Sequence, residues 1–222
     1  MKTIISLAFI AFVAITLNAQ IRPTTAADYE GTFRYAVSET NAAFPFVFTV
    51  VKQRYDDGKL ISTETDVNER QAAGVARETQ TLQRDSTTLR SYSVMVGFGN
   101  NTYCSTDGVS WTGPQKFVCP GPDGSSIFTV QRPRSPESAE YSVTEGSLGG
   151  KPVKIYRKYA VFAATATNGK KSFEEEIATL DSRGFFISVV DTEGTLDPKA
   201  VTLIRKQTWD FKTAFNPVVA PK

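Results

Sequence analysis

From Pro45 onward the chain alternates apolar and polar residues in short runs, broken by Asp57-Gly58, Asn100-Asn101, Asp107-Gly108 and Asn168-Gly169. This pattern constrains the fold more than any other feature. A period of two sends successive side chains to opposite faces of a strand. Asp-Gly and Asn-Gly tolerate the positive φ of primed hairpin turns, so the chain is expected to double back at each dipeptide and build an antiparallel meander. In "RSYSVMVGFG" the residues Tyr92, Val94, Val96 and Phe98 share one face, with Ser91, Ser93 and Gly97 on the other. Phe46, Phe48 and Val50 make a comparable stripe, and Leu203, Trp209 and Phe211 make another. Fifteen Phe and eight Tyr suit strands and apolar cavities better than a helical bundle.

Ahead of the meander, "TTAADYEGTFRYAVSETNAA" predicts a helix over residues 26–42. Thr25 and Asp28 form a capping-box pattern. Tyr29, Phe33, Ala36 and Val37 recur at helical spacing, and Glu30 stands four residues before Arg34.

The first residues, "MKTIISLAFIAFVAITLNAQ", carry one lysine, an apolar run from Ile4 to Ile15 and the small-residue exit Ala19. They read as a secretory signal peptide over 1–19, followed by a single domain over 20–222. The run is shorter than the roughly 18 to 20 residues a membrane span needs. Gln20 rather than cysteine follows the expected cleavage point, so no lipid anchor is expected. The mature protein is therefore expected to be periplasmic or extracellular.

In that oxidising setting the two cysteines, Cys104 and Cys119, read as one disulfide. The chain has no histidine. A zinc site would lack its remaining ligands, and a catalytic thiol would lack a base. With Asp107-Gly108 as a two-residue loop, Trp111 is expected opposite Cys104, covering the bridge. Loss of residues 1–19 removes Lys2 and no acid, leaving 24 basic residues against 23 acidic. That balance argues against nucleic acid as a partner and against a polybasic membrane footprint.

The densest acid run is "NGKKSFEEEIATL". A two-residue loop at Asn168-Gly169 would pair Phe162 with Glu175, on a face shared with Ala160, Ala164, Phe173 and Ile177. Glu175 then reads either as a polar anchor for a ligand headgroup or as a strand-edge charge that deters aggregation. Asp191, Glu193 and Asp197 fall in "DTEGTLDP", whose composition suits solvated loop acids better than a glycosidase pair. No enzyme activity, cofactor or metal is expected.

The succession of helix, "VARETQTLQR", "VGFGNNTYCSTDGVSWTG", "YSVTEGSLGGKPVKIYRKYA", "EEEIATLDSRGFFISV" and "WDFKTAFNPVVAP" resembles the LolA/LolB-like group, including LppX-type envelope proteins. The resemblance spans residues 25–222 and rests on element order. It implies an α+β, mainly antiparallel fold: a strongly curved, half-open β-barrel with the N-terminal helix on its concave side. It also implies a non-enzymatic carrier of lipid-like molecules. Candidate cavity residues are Phe33, Phe46, Phe48, Val94, Val96, Phe98, Phe162 and Ile177, with Glu175 as polar anchor. Each apolar candidate also reads as plain core. The alternative is a structural or protein-interaction module of the envelope whose groove is filled by its own side chains.

Overall fold

The computed structural model describes residues 21–37, 44–97, 101–115, 119–124, 135–164, 169–196, 199–212 and 216–221, with backbone alone for 32–37 and 211–212. The elements are β1 (Arg22–Pro23), α1 (Ala26–Val37), β2 (Phe46–Asp56), β3 (Lys59–Ala72), β4 (Val75–Arg84), β5 (Thr87–Met95) and β6 (Thr102–Ser105). There follow β7 (Thr112–Gln115), β8 (Ser138–Leu148), β9 (Lys151–Phe162), β10 (Ser172–Asp181), β11 (Phe186–Leu196) and β12 (Lys199–Lys212). All strands join one open antiparallel sheet of 12 strands, in the order β1-β8-β9-β10-β11-β12-β2-β3-β4-β5-β6-β7. Two meanders, β2–β7 and β8–β12, thus lie side by side and join where β12 pairs with β2. The connection from β7 to β8 must travel from one edge of the sheet to the far side.

Local chemistry explains the hairpins. Asp57 (φ 45°) and Gly58 (φ 77°) supply the two positive φ angles of a primed turn between β2 and β3. Equally short loops sit at Ala73-Gly74, Asp85-Ser86 and Gly149-Gly150, which the search for Asp-Gly and Asn-Gly passes over. At Asp85 (φ 53°) the aspartate itself takes the left-handed conformation. Both edge strands contain proline, Pro23 in the two-residue β1 and Pro114 in the four-residue β7. Short strands that lack an N–H donor offer little to a second chain, so the open sheet is blunted at both ends.

The helix forms where its cap predicts. The Asp28 N–H donates to Thr25 Oγ1 at 3.1 Å, and the Thr25 hydroxyl donates to Asp28 Oδ2 at 2.7 Å. Its packing is slighter than the expected plug on a concave side. Among its described side chains only Tyr29 is buried, while Ala26, Ala27, Asp28, Glu30 and Gly31 are exposed. Phe33 lies outside the described side chains, and residues 38–42 of the expected helix lie outside the described residues.

Tyr29 defines the helix-side face, because its ring lies 5.3 Å from Tyr141 and 6.3 Å from Tyr156. Antiparallel partners share a face. On that face Ala178, Leu180, Phe186 and Val189 form a buried cluster flanked by Tyr156 and Trp209. Among the described residues no large side chain is less than 2% exposed. Such burial fits a single sheet that is not covered by a full second layer of the described residues.

Candidate functional site

The register decides which apolar stripes can meet. Phe46, Phe48 and Val50 alternate along one face of β2, and β12 pairs Trp209 with Val50, while the Phe211 side chain lies outside the described side chains. These stripes share the helix-side face with Phe186 and Val189, and the Phe186 and Trp209 rings stack at 5.0 Å. Phe46 and Phe48 stack at 6.0 Å and stay half-buried. Val94, expected beside them, is on the opposite face, because the cross-strand row runs Val47, Glu69, Arg77, Val94. The two stripes cannot line one wall. Val96 falls just beyond β5, where its N–H donates to Asn101 O at 3.0 Å, and Phe98 lies outside the described residues.

The acid run also pairs differently from expectation. Phe162 faces Ser172, and Glu175 faces Tyr159, because residues 163–171 form a longer connection than a two-residue loop. Phe162 and Ala160 therefore point to the helix-side face, while Phe173, Glu175 and Ile177 point to the other. Glu175 does not stand at an edge of the sheet. It accepts from Arg157 Nε at 2.6 Å, on a strand flanked by β9 and β11 rather than at an edge. Asp191 and Glu193 lie within β11, not in a loop, and Asp197 is outside the described residues.

What the alternation conceals is a polar stretch on the helix-side face. One row runs Tyr141, Lys158, Glu176, Asp191, Arg205, Arg54 across five strand pairings. At its helix end the Tyr29 hydroxyl donates to Glu176, and Glu176 also hydrogen-bonds Asp191. Burial, then the neighbouring Glu176 carboxylate, pushes Asp191 up to about 7. Burial and the same glutamate push the Tyr29 phenol far above its ordinary range. Glu176 and Asp191 thus stand opposite each other as a carboxyl pair. Glu174 and Glu193 flank it around a cleft of about 220 Å³, and Arg205 pairs with Glu193.

At the other end of the row the charge changes sign. A cleft of about 310 Å³ is lined by Lys52, Arg54, Arg84 and Arg205, and it is bounded by Gly121, Pro122 and Asp123 of the crossing connection. Lys52 bonds Glu64 at 2.7 Å and Asp66 at 2.5 Å. Burial lowers its affinity for a proton, but these carboxylates outweigh that and raise it. Burial pushes Asp66 up to about 6 despite Lys52, and its Oδ1 is buried without a hydrogen-bond partner.

The crossing connection is anchored by the expected bridge. Cys104 and Cys119 form a disulfide, with Cα atoms 5.6 Å apart. It ties β6 to a residue two positions before Gly121. Trp111 does not face Cys104 in the ladder; Thr112 does, because the loop runs from Thr106 to Trp111. There the Asp107 carboxylate accepts from the N–H groups of Ser110 and Val109 and from the Ser105 hydroxyl, which hold it below the usual carboxylate range.

No helix among the described residues is long and apolar enough to cross a membrane. No protein-family model matches the chain. No curated protein matches it either. Among solved structures, one described as a conserved protein of unknown function with a hot dog fold, from Alicyclobacillus acidocaldarius, is 14% identical, covering 91% of this chain and 97% of that one. Its TM-score of 0.18 is too low for the likeness to inform fold or function.

Proposed function

We propose that the protein is an exported, non-enzymatic binder or carrier of lipid-like molecules, with the leader over residues 1–19 removed and the sheet curled into a half-open barrel around its helix-side face. The observation that supports this most is the set of aromatic side chains on one face, Phe46, Phe48, Tyr156 and Trp209, which stay half-buried among the described residues. Burying an acyl chain against them would release about 0.8 kcal/mol per methylene before ordering costs. The reading keeps Phe46 and Phe48 from the sequence candidates and sets aside Val94, Ile177 and Glu175, which face the other way.

The test uses delipidated protein and an environment-sensitive fatty-acid probe. Saturable binding is expected, weakened several-fold by Phe48→Ala with the denaturation midpoint little changed, because the ring is only half-buried. Absence of saturable binding would favour the structural or protein-interaction module, with the face filled by the protein's own side chains.

A further inference from the structure

We infer that the cleft at Arg54, Arg84 and Arg205 takes a phosphate-type anion, which on the lipid-binding reading is the headgroup of the bound molecule. The inference deepens that reading and rests on it only for the tail. Its basis is the order of side chains along single strand faces. On β2 the helix-side face reads Phe46, Phe48, Val50, Lys52, Arg54. On β12 it reads Trp209, Gln207, Arg205. Both strands pass from apolar to cationic in the same direction, because β12 pairs Trp209 with Val50 and Arg205 with Arg54. On β4 the same face reaches Leu82 and then Arg84 at that end. From Val50 to Arg54 the strand advances roughly 13 Å. A tail lying on the aromatic stripe would thus deliver its head to the cations.

The state of each cation matters more than their number. Lys52 is committed to Glu64 and Asp66, and Arg205 to Glu193. Arg84 reaches Asp123 only at 3.9 Å, and Arg54 has no ion pair among the described residues. Four cationic side chains face two carboxylates, Glu64 and Asp123, around the cleft. Arg54 and Arg84 therefore offer guanidinium donors without breaking a tight pair. A guanidinium fork matches two oxygens of a phosphate, and two such forks suit a group with several acceptor oxygens. The space of about 310 Å³ admits such a head, bounded by the connection that the disulfide anchors.

The chain has two tryptophans, so Trp111→Phe leaves Trp209 as the single reporter beside the site. Three probes are titrated into this protein: hexadecyl phosphate, hexadecanol and inorganic phosphate. Hexadecyl phosphate is expected to bind about tenfold or more tighter than hexadecanol, the scale of charge-assisted hydrogen bonds. Arg54→Gln with Arg84→Gln should abolish that preference and leave hexadecanol affinity unchanged. Both side chains are exposed, so the fold should survive, which circular dichroism checks. Asp123→Asn, which frees Arg84, should move hexadecyl phosphate the other way, tightening it roughly twofold to threefold.

The outcomes separate the two claims. Equal affinity for hexadecyl phosphate and hexadecanol would overturn the anion site while leaving lipid binding in place. Inorganic phosphate that competes as strongly as hexadecyl phosphate, with no binding of hexadecanol, would keep the anion site and overturn the lipid source. No binding of either phosphate would overturn the inference outright.

Discussion

On the helix-side face the carboxylates of β10 and β11 lie beneath Tyr29, whereas the cations of β2, β4 and β12 lie beside Gly121–Asp123. Both patches flank Arg205, yet they carry charge differently. The acids are half-buried, and the cost is relieved by a tyrosine donor on Glu176 and by an Asp191 carboxyl that holds its proton to higher pH. Arg54 and Arg84 stay in water, where a charge costs little. The first arrangement holds a helix to a sheet; the second is available to something else. If that contrast is right, substitutions should act on stability at one patch and on binding at the other.

The largest effect should come from Tyr29→Ala. Tyr29 is 4% exposed, and its loss leaves a cavity against Tyr141 and Tyr156, for about 3 to 5 kcal/mol by chemical denaturation. Arg54→Ala, by contrast, should stay within about 0.5 kcal/mol. Equal effects would break the comparison. Next comes Cys104→Ser with Cys119→Ser, expected to lower stability by about 2 to 4 kcal/mol through the loop it frees. In the same variant the Gly121–Asp123 segment should gain amide hydrogen exchange relative to Tyr29 and its surroundings. Tyr29→Phe removes only the hydroxyl and should cost about 1 to 3 kcal/mol, since Glu176 loses its donor.

A further test is a pH slope. Asp191 binds its proton up to about pH 7 in the fold, against an ordinary value of 3.8. A carboxyl raised on folding contributes stability that is full below about pH 4 and is lost as pH rises through about 7. Asp66, raised to about 6, acts in the same direction. Asp107, held low, acts in the opposite one and matters only in acid. Denaturation midpoints of wild type and Asp191→Asn between pH 4 and pH 8 should therefore diverge, the wild type falling more steeply. Parallel profiles would remove the raised Asp191 carboxyl from the account.

Much of the sheet was legible because strand signals are local. The Asp57-Gly58 turn, the Phe46–Phe48–Val50 strand, the cap at Thr25 and the cysteine pair each follow from a few adjacent residues. Register was not local. Misplacing one loop, at Asn168-Gly169, put Phe162 opposite Glu175 rather than Ser172, a slip of three residues, and any odd slip sends every side chain to the other face. The same limit hid the polar row. Glu176, Asp191, Arg205 and Arg54 come from four strands, and nothing in any one segment marks them as neighbours. The one available signal was the alternation Val50, Lys52, Arg54 continuing the Phe46–Phe48 stripe, where an apolar face turns cationic.

The central claim is that the helix-side face holds a lipid-like molecule, and native mass spectrometry of protein purified without detergent tests it most directly. The account predicts the mass of residues 20–222 with the disulfide formed, accompanied by a discrete adduct of lipid size that is released by organic solvent. The bare polypeptide mass under the gentlest conditions, with no probe bound after purification, would contradict it.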